Sequence, residues 1–238
     1  MPHMATQYGF ALLFPEQQRQ NNLDLCFDWF SPGDNRRDTG KALSIRQMVA
    51  AATARHGLDP ARVFCTGLSA GGAMTSSMLA TYPEVFAGGA IITGLPCGCA
   101  DTFARAFDRM RLLGMPRGLE LTAFVRGASG HDGAWPTVSI WHGTAEATVG
   151  HGNAQAVIGQ WPPLHGAAAA PDHVQIVRGQ AERIAKGAEP GFAIDALKRP
   201  SEAAFPAFAA LCVEIVRHEL WRRPQRDSAR PAKPRHAR

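Results

Sequence analysis

The sequence predicts an α/β fold, in which a mostly parallel sheet carries helices on both faces. Short apolar runs of strand length alternate along the chain with segments of helical spacing. One such run, Arg62–Thr66, leads through a Gly-Leu-Ser-Ala-Gly turn into a small-residue segment that suits a helix. The length of 238 residues fits one such domain, with or without a tail.

The elements follow from apolar spacing and from turn residues. Tyr8–Phe14 is an apolar run closed by Pro15 and predicts a buried strand, and residues 16–38 read as a loop. Apolar residues three and four positions apart predict a helix over Ser44–His56, with Gly57 as its C-cap. The further predictions are strands at Arg62–Thr66, Val85–Thr93, Thr137–Trp141 and Val174–Val177, and helices at Gly72–Leu79 and Ala100–Leu113.

The C-terminal part of the chain has a different composition. Glu202–Trp221 carries a helical stripe of apolar residues in an Ala-rich background, although Val213–Val216 also has the composition of a strand. Beyond it, Pro and Arg content predicts a disordered tail. We therefore divide the chain into an incomplete α/β domain at 1–200 and an Ala-rich helix with a basic tail at 201–238.

Charge and composition exclude several classes of function. Residues 217–238 carry a net charge of +6 and residues 1–216 a net charge of −1, so the basic excess belongs to the tail, and no nucleic-acid partner is expected. No membrane span, no signal peptide and no cofactor are predicted. The cysteine spacing does not match a metal site, but a disulfide of Cys26 with Cys97 or Cys99 remains open.

Ser69, in the Gly-Leu-Ser-Ala-Gly turn, is the predicted nucleophile. A strand before it and a helix after it form the sharp elbow that exposes a serine hydroxyl, and small residues avoid clashes there. The backbone N–H of Ala70, next in the chain, would be one oxyanion donor. A serine needs a base and an orienting acid as well, and these must be sought elsewhere.

The segments around the elbow resemble the esterases of the poly(3-hydroxybutyrate) depolymerase family. GLSAGGAM followed by TYPEVFAGGAIITGLPCG carries the similarity, which extends in one register from Tyr8 to about Arg183. The other similar segments are FALLFPEQ, CFDWFSPGDNRRDTGKALSIRQMV, LDPARVFCTGLSAGGAM, WPTVSIWHGTAEATV and NAQAVIGQW. The resemblance implies an α/β-hydrolase fold, cleavage of carboxylic esters including polyhydroxyalkanoates, and an extracellular location.

The resemblance also indicates an acid and a base. The family pattern HGTAD corresponds to HGTAEATV, so Glu146 matches the acid with one extra methylene, and Asp132 is the alternative. In this fold the base follows the acid, which leaves His151, His165, His173, His218 and His236. We choose His218, because CVEIVR before it can stand for a last strand. His131 matches a position that the family shares and is expected to shape the pocket, while His142 is expected to cap a strand end.

Both ends of the chain depart from the family pattern. The strand that leads to the second oxyanion donor precedes the strand matching Tyr8–Phe14, and only seven residues stand before Tyr8. In the fold that strand lies between the first strand seen here and the elbow strand. We therefore expect a chain truncated at its N-terminus, divergent at its C-terminus, and a sheet with unpaired backbone groups.

The expected function is a serine esterase of polyhydroxyalkanoate degradation, acting on a polyester, an oligomer or an acylated polysaccharide. One alternative is an acetyl or feruloyl esterase on plant polysaccharides, and another is an inactive remnant of the family. A third is a carbohydrate- or polymer-binding module that stacks ligands on tryptophans, namely Trp29, Trp135, Trp141 and Trp161.

Overall fold

The computed structural model describes residues 2–143, 145–167, 173–177, 180–184 and 210–215. Its centre is a five-stranded parallel sheet with the strand order β1-β7-β2-β3-β4. These strands are β1 Phe10–Leu13, β2 Val63–Leu68, β3 Gly88–Ile92, β4 Thr137–Trp141 and β7 Ala210–Ile215. A separate antiparallel pair consists of β5 His173–Val177 and β6 Gln180–Ile184.

Helices connect the strands of the sheet. They are α1 Pro2–Tyr8, α2 Pro32–Asn35, α3 Gly40–His56, α4 Ala70–Thr81, α5 Phe103–Met110, α6 Leu119–Ser129 and α7 Gly152–Gln160, with 3-10 turns at Pro60–Arg62 and Pro162–Leu164. The α/β fold class and the predicted strands from β1 to β5 are confirmed. Gly57 ends α3 as expected, with a left-handed φ of 59° and its N–H donated to the Thr53 carbonyl.

Four helices were not predicted from the sequence, of which α1 precedes the first predicted strand. α2 lies inside the range 16–38 that was read as a loop, and it spans one turn only. α6 and α7 bury a narrow apolar stripe each, Leu121 with Val125 and Ala154 with Val157. Their polar and glycine-rich remainder obscures that stripe in the sequence, so the packing on the sheet decides their structure. None of the described helices has the length and apolar content needed to cross a bilayer.

The strand β7 corrects the predicted gap in the sheet. The sequence left two predictions here, a helix over Glu202–Trp221 and a strand over Val213–Val216. The helix is wrong for Ala210–Ile215, and the strand is confirmed as far as Ile215, the last residue described. β7 pairs in parallel with β1 on one side and with β2 on the other, in the place where the missing strand was expected. The backbone groups of β2 therefore have a partner strand on both sides. The boundary at residue 200 stays a prediction, and β7 supports extending the domain to Ile215.

The helix α4 forms the centre of the core. Every residue from Gly71 to Thr81 is buried, although the helix contains several Ser and Thr side chains. Hydrogen bonds compensate this burial: Thr81 Oγ1 donates to the Ser77 carbonyl at 2.8 Å, and Ser76 Oγ accepts the Cys97 N–H at 3.2 Å. Small, satisfied side chains allow α4 to lie against β2 and β3 with other helices on its outer side.

The closest approach of α4 to the sheet occurs at two glycines. A Cβ atom at Gly72 would lie 2.6 Å from the Ile92 carbonyl oxygen and 3.1 Å from Gly94 Cα. A Cβ at Gly94 would lie 2.8 Å from the Gly72 carbonyl carbon. Backbone atoms cannot yield as a flexible side chain can, so this contact requires both glycines. It fixes the first turn of α4, and with it Ser69, against the end of β3.

We predict that Gly72→Ala lowers the free energy of unfolding by about 1–3 kcal/mol, because the added methyl group overlaps the sheet backbone. Urea titration of the purified protein measures this change. Gly127→Ala is the matched control, since Gly127 also lies in a helix but a Cβ there meets no atom within 4 Å. The control should gain about 0.5–1 kcal/mol from helix propensity. Equal stability of the two variants would contradict the proposed contact.

Candidate active site

Ser69 lies at the junction of β2 and α4 in a strained backbone conformation. Its φ is 57° and its ψ is −118°, a combination that residues other than glycine rarely adopt. The strain is held on both sides: the Ser69 N–H donates to the Ile92 carbonyl, and the Ser69 carbonyl accepts the Ala73 N–H, both at 2.9 Å. This geometry is the sharp strand-to-helix elbow that the sequence predicted around Ser69.

Ala70 is the first residue of α4 and stands beside Ser69 in a pocket of about 220 Å³. The N–H groups of a first helical turn have no intrahelical acceptor, and the helix dipole favours negative charge there. The Ala70 N–H can therefore stabilise an oxyanion that forms next to Ser69 Oγ. The pocket volume suits a short acyl group, since pockets for drug-sized ligands measure about 300–1,000 Å³.

The opposite wall of this pocket comes from a loop that sequence analysis did not assign to the site. Leu25, Cys26 and Phe27 face the elbow, and Leu68 and Gly71 complete the lining. Leu25 has a φ of 55°, so this wall is also strained. The aromatic residues of CFDWF mark this loop in the sequence and contribute to the family resemblance, but nothing in their pattern indicates that the loop lines a pocket.

A partly buried ion cluster holds the wall loop in place. Lys41 Nζ, at the start of α3, lies 2.6 Å from Asp34 Oδ2 and 3.2 Å from Asp28 Oδ2. Desolvation opposes the charge of Lys41, but hydrogen bonds and attraction from Asp34 and Asp28 outweigh it and raise the pKa of this side chain. Asn22 Nδ2 donates to Asp28 Oδ1 at 2.7 Å, which fixes the loop from its other side. The pocket wall is thus anchored to a helix.

Glu146 lies beyond the end of β4, on the same edge of the sheet as Ser69. Leu68 pairs with Ile92 and Ile92 with Trp141, so the carboxyl ends of the three strands are adjacent. Glu146 Oε1 accepts the backbone N–H groups of Thr148 at 2.6 Å and Val149 at 3.2 Å. These bonds lower the pKa of this partly exposed carboxyl, so its protonation is shifted to lower pH.

Two histidines accompany the Glu146 loop. His142 follows β4 directly, and its Nε2 lies 2.8 Å from the Val149 carbonyl oxygen, so the ring ties the strand end to the loop. The ring of His151 makes an edge-to-face contact with that of His142 at 5.5 Å between centroids. Neither histidine lines the Ser69 pocket. His142 thus lies at the strand end, as expected.

Three of the remaining sequence candidates lie toward the other edge of the sheet. Asp132 and His131 precede β4 and therefore lie toward its amino end, and His131 Nε2 contacts the Ala134 carbonyl at 3.0 Å. His165 is half-buried, its ring is hydrogen-bonded to the Pro136 backbone, and burial lowers its pKa. The alternative acid Asp132, the pocket role of His131 and the candidate base His165 are therefore not supported by the geometry.

The other candidate bases are not described at the side-chain level. His173 begins β5, in the two-stranded sheet. His218 and His236 lie outside the described residues. The basic tail likewise lies outside them.

The cysteines and tryptophans settle two further expectations. Cys97 and Cys99 are free thiols. Burial raises the pKa of each to about 12. Neither forms the disulfide with Cys26 that the sequence left open.

Trp29 and Trp161 are core residues, 7% and 0% exposed, so the stacking platform considered for a binding module is wrong for these two tryptophans.

A model of the family described as esterase PHB depolymerase matches residues 1–181. The chain belongs to this family. The match covers the elbow, the wall loop and the Glu146 loop, so the resemblance seen in the sequence is confirmed.

Two curated relatives extend this result. The chain is 41% identical over 191 residues to poly(3-hydroxyalkanoate) depolymerase C of Paucimonas lemoignei, which covers 78% of the chain and 45% of the relative. It is 34% identical over 170 residues to feruloyl esterase B of Talaromyces stipitatus, which covers 68% of the chain and 47% of the relative. The chain thus spans about half the length of these relatives.

A solved esterase structure is similar in fold to this chain. Acetyl xylan esterase from Aspergillus awamori superimposes with a TM-score of 0.62 at 20% identity, over 88% of the chain and 83% of that protein. At this identity the similarity establishes the α/β-hydrolase-type fold.

We predict that Ser69→Gly raises the free energy of unfolding by about 1 kcal/mol. Glycine adopts a positive φ without the strain of about 1–3 kcal/mol that serine bears, and its larger entropy in the unfolded chain cancels part of this gain. Ser69→Ala is the control, because alanine removes the hydroxyl and retains the strain. Urea denaturation of both variants measures the difference. A glycine variant no more stable than the alanine variant would show that the elbow is relaxed.

Proposed function

We propose that this chain is a serine carboxylic ester hydrolase that forms an acyl-enzyme. The observation that carries the proposal is the strained Ser69 conformation at the mouth of a small pocket, next to the N-terminus of α4. A strained nucleophile elbow has no evident structural purpose, and such strain clusters at functional sites. The family relationship supports the same activity.

The base in this proposal is His218, and β7 supports it. β7 is parallel to β2, and its last described residue, Ile215, pairs with Gly67. Ser69 follows Gly67 by two residues, and His218 follows Ile215 by three. Three residues of extended chain span at most about 10–11 Å, so His218 Cα is within that distance of the end of β7. The proposed base thus follows closely on the strand next to the elbow, which supports its assignment to Ser69.

Glu146 is the proposed acid that orients this base. It shares the carboxyl edge of the sheet with Ser69, and its lowered pKa keeps it negatively charged at neutral pH. A carboxylate in that state stabilises the imidazolium that forms when the base takes the serine proton. The backbone bonds to Thr148 and Val149 hold the carboxylate in one orientation.

The reaction then proceeds in two steps. Ser69 Oγ attacks the ester carbonyl carbon while its proton passes to the base, and the Ala70 N–H donates to the oxyanion. The C–O bond to the alcohol breaks, and the base returns the proton to the leaving alcohol. Water, deprotonated by the same base, attacks the acyl-enzyme and releases the carboxylic acid and Ser69.

The proposed substrate is a polyhydroxyalkanoate or one of its oligomers. The relative with 41% identity is named a poly(3-hydroxyalkanoate) depolymerase, and the apolar wall of the 220 Å³ pocket suits a short aliphatic acyl unit. Acetyl or feruloyl esters of polysaccharides are the second candidate, because other relatives carry these names. We propose an extracellular location, which the family relationship supports.

Labelling by a fluorophosphonate probe tests the nucleophile. We expect the folded protein to be labelled at Ser69 and to hydrolyse p-nitrophenyl butyrate, because both reactions need an activated serine. Ser69→Ala should lose the label, and its hydrolysis rate should fall by at least about 10³-fold. Protein that melts cooperatively but neither reacts with the probe nor hydrolyses the ester would show an inactive member of the family.

Two histidine variants test the base. His218→Ala should lower kcat by about 10³-fold or more, because the serine loses its proton acceptor. His151→Ala is the matched control, since His151 is the other candidate near Glu146 and is expected to change kcat by less than about tenfold. Steady-state kinetics with p-nitrophenyl butyrate distinguish the two. The reverse order of effects would assign the base to His151 and refute the role of His218.

A further inference from the structure

The helix α5 exposes aromatic side chains where a surface helix is normally polar. Phe103 and Phe107, one turn apart, are 66% and 44% exposed. Ala106, which is buried, and Met110, which packs against the core, lie on the same helical stripe as the two phenylalanines, because residues three, four and seven positions apart share one face of a helix. This stripe is therefore buried at Ala106 and exposed at Phe103 and Phe107. Adjacent large apolar groups on a surface commonly mark a binding site.

These rings form one continuous surface with the loop that walls the Ser69 pocket. Phe103 lies 4.7 Å from Phe107 and 6.0 Å from Phe30 between ring centroids. Phe30 in turn packs edge-to-face on the buried Trp29 at 5.7 Å, which fixes this end of the surface. We call Phe30, Phe103 and Phe107 the aromatic strip.

The aromatic strip connects with the catalytic edge of the sheet at both ends. Phe30 follows the pocket-lining Phe27 by three residues. At the other end, the carbonyl of Met110, the last residue of α5, accepts the Gly150 N–H at 2.8 Å. Leu112 packs so closely there that a Cβ at Gly152 would lie 2.6 Å from its Cδ1. The strip therefore runs between the wall of the Ser69 pocket and the loop that bears Glu146.

The charges near the strip are largely engaged with each other or with the backbone. Arg105 Nη1 binds both carboxylate oxygens of Asp101, at 2.8 and 2.7 Å. Arg109 donates to the carbonyls of Cys99 and Leu113. Residues 101–111 carry three arginines and two aspartates, a net charge of +1, so no large charge of either sign surrounds the rings. The complement of such a surface is a neutral, aliphatic ligand, in contrast to an anionic polymer or a nucleic acid.

We propose that the aromatic strip binds the aliphatic segment of a polyester chain next to the ester that occupies the Ser69 pocket. This inference rests on the proposed function and names the part of the surface that recognises the polymer. Because the strip lies outside the 220 Å³ pocket, a short soluble ester reaches Ser69 without contacting it. The strip thus discriminates between polymeric and small esters.

The test measures adsorption separately from hydrolysis. Protein carrying Ser69→Ala is mixed with poly(3-hydroxybutyrate) particles, and the unbound fraction is measured after sedimentation. In this background Phe103→Ser with Phe107→Ser should weaken adsorption by about 10- to 100-fold, because two exposed rings no longer leave water. Leu119→Ser is the matched control, since Leu119 is 82% exposed in α6 and outside the strip, and it should leave adsorption unchanged.

Hydrolysis provides the second measurement. With Ser69 intact, the double variant should retain kcat/KM for p-nitrophenyl butyrate within about twofold and lose most of its release of soluble acid from the particles. If the double variant does not melt cooperatively, Phe103→Gln alone replaces it in both measurements, with a smaller expected loss of adsorption. If the proposed function is wrong, hydrolysis of p-nitrophenyl butyrate is absent, but the adsorption measurement can still be interpreted because it does not depend on hydrolysis.

Three outcomes would overturn the proposal. The first is equal adsorption of the double variant and the Leu119→Ser control. The second is a loss of binding to xylan in the double variant with unchanged binding to polyester, which would assign the strip to sugar stacking. The third is a dimer, seen by sedimentation velocity, that the double variant dissociates, which would make the strip an interface between two copies of the chain.

Discussion

The pairing of β7 with both β1 and β2 is the constraint on which the rest of the structure depends. β2 carries the nucleophile elbow, and a parallel strand at the centre of a sheet needs a hydrogen-bonded partner on each side. A segment distant in sequence supplies one of these partners. The same pairing aligns the carboxyl end of β7 with the elbow, since Ile215 pairs with Gly67, two residues before Ser69. The strand that completes the sheet is thus also the strand that precedes the proposed base in the sequence.

Strain at the site is offset by rigid surroundings. Ser69 and Leu25 both adopt a positive φ and face each other across the pocket. Backbone hydrogen bonds with Ile92 and Ala73 restrain Ser69, and the contact between Gly72 and Gly94 prevents the start of α4 from moving away from the sheet. The ion cluster around Lys41 holds the loop that carries Leu25. Each wall of the pocket is thus tied to a helix, and a site fixed in this way needs little reorganisation when charge develops.

The sequence predicts the features that depend on local pattern. β1, α3 and the elbow follow from apolar spacing, a C-cap glycine and small residues around Ser69, and the structure has all three. It does not predict β7, because the apolar residues of 210–215 fit a helical stripe as well as a strand, and only the open place between β1 and β2 decides between them. The loop Leu25–Phe27 escapes prediction for a similar reason. Nothing in its composition indicates that it folds back over a serine more than forty residues away.

The position of the proposed base has a consequence for the order of the catalytic groups around the sheet. The acid follows β4, at one end of the strand order, whereas β7 lies on the other side of β2. Ser69 therefore stands between the strand that leads to its base and the strands that lead to its acid. In the proposed site an imidazole from the β7 side would have to extend across the elbow toward the Glu146 loop, and a glutamate is longer than an aspartate by about one C–C bond. We propose that the extra methylene of Glu146, a departure from the family pattern, compensates part of this distance.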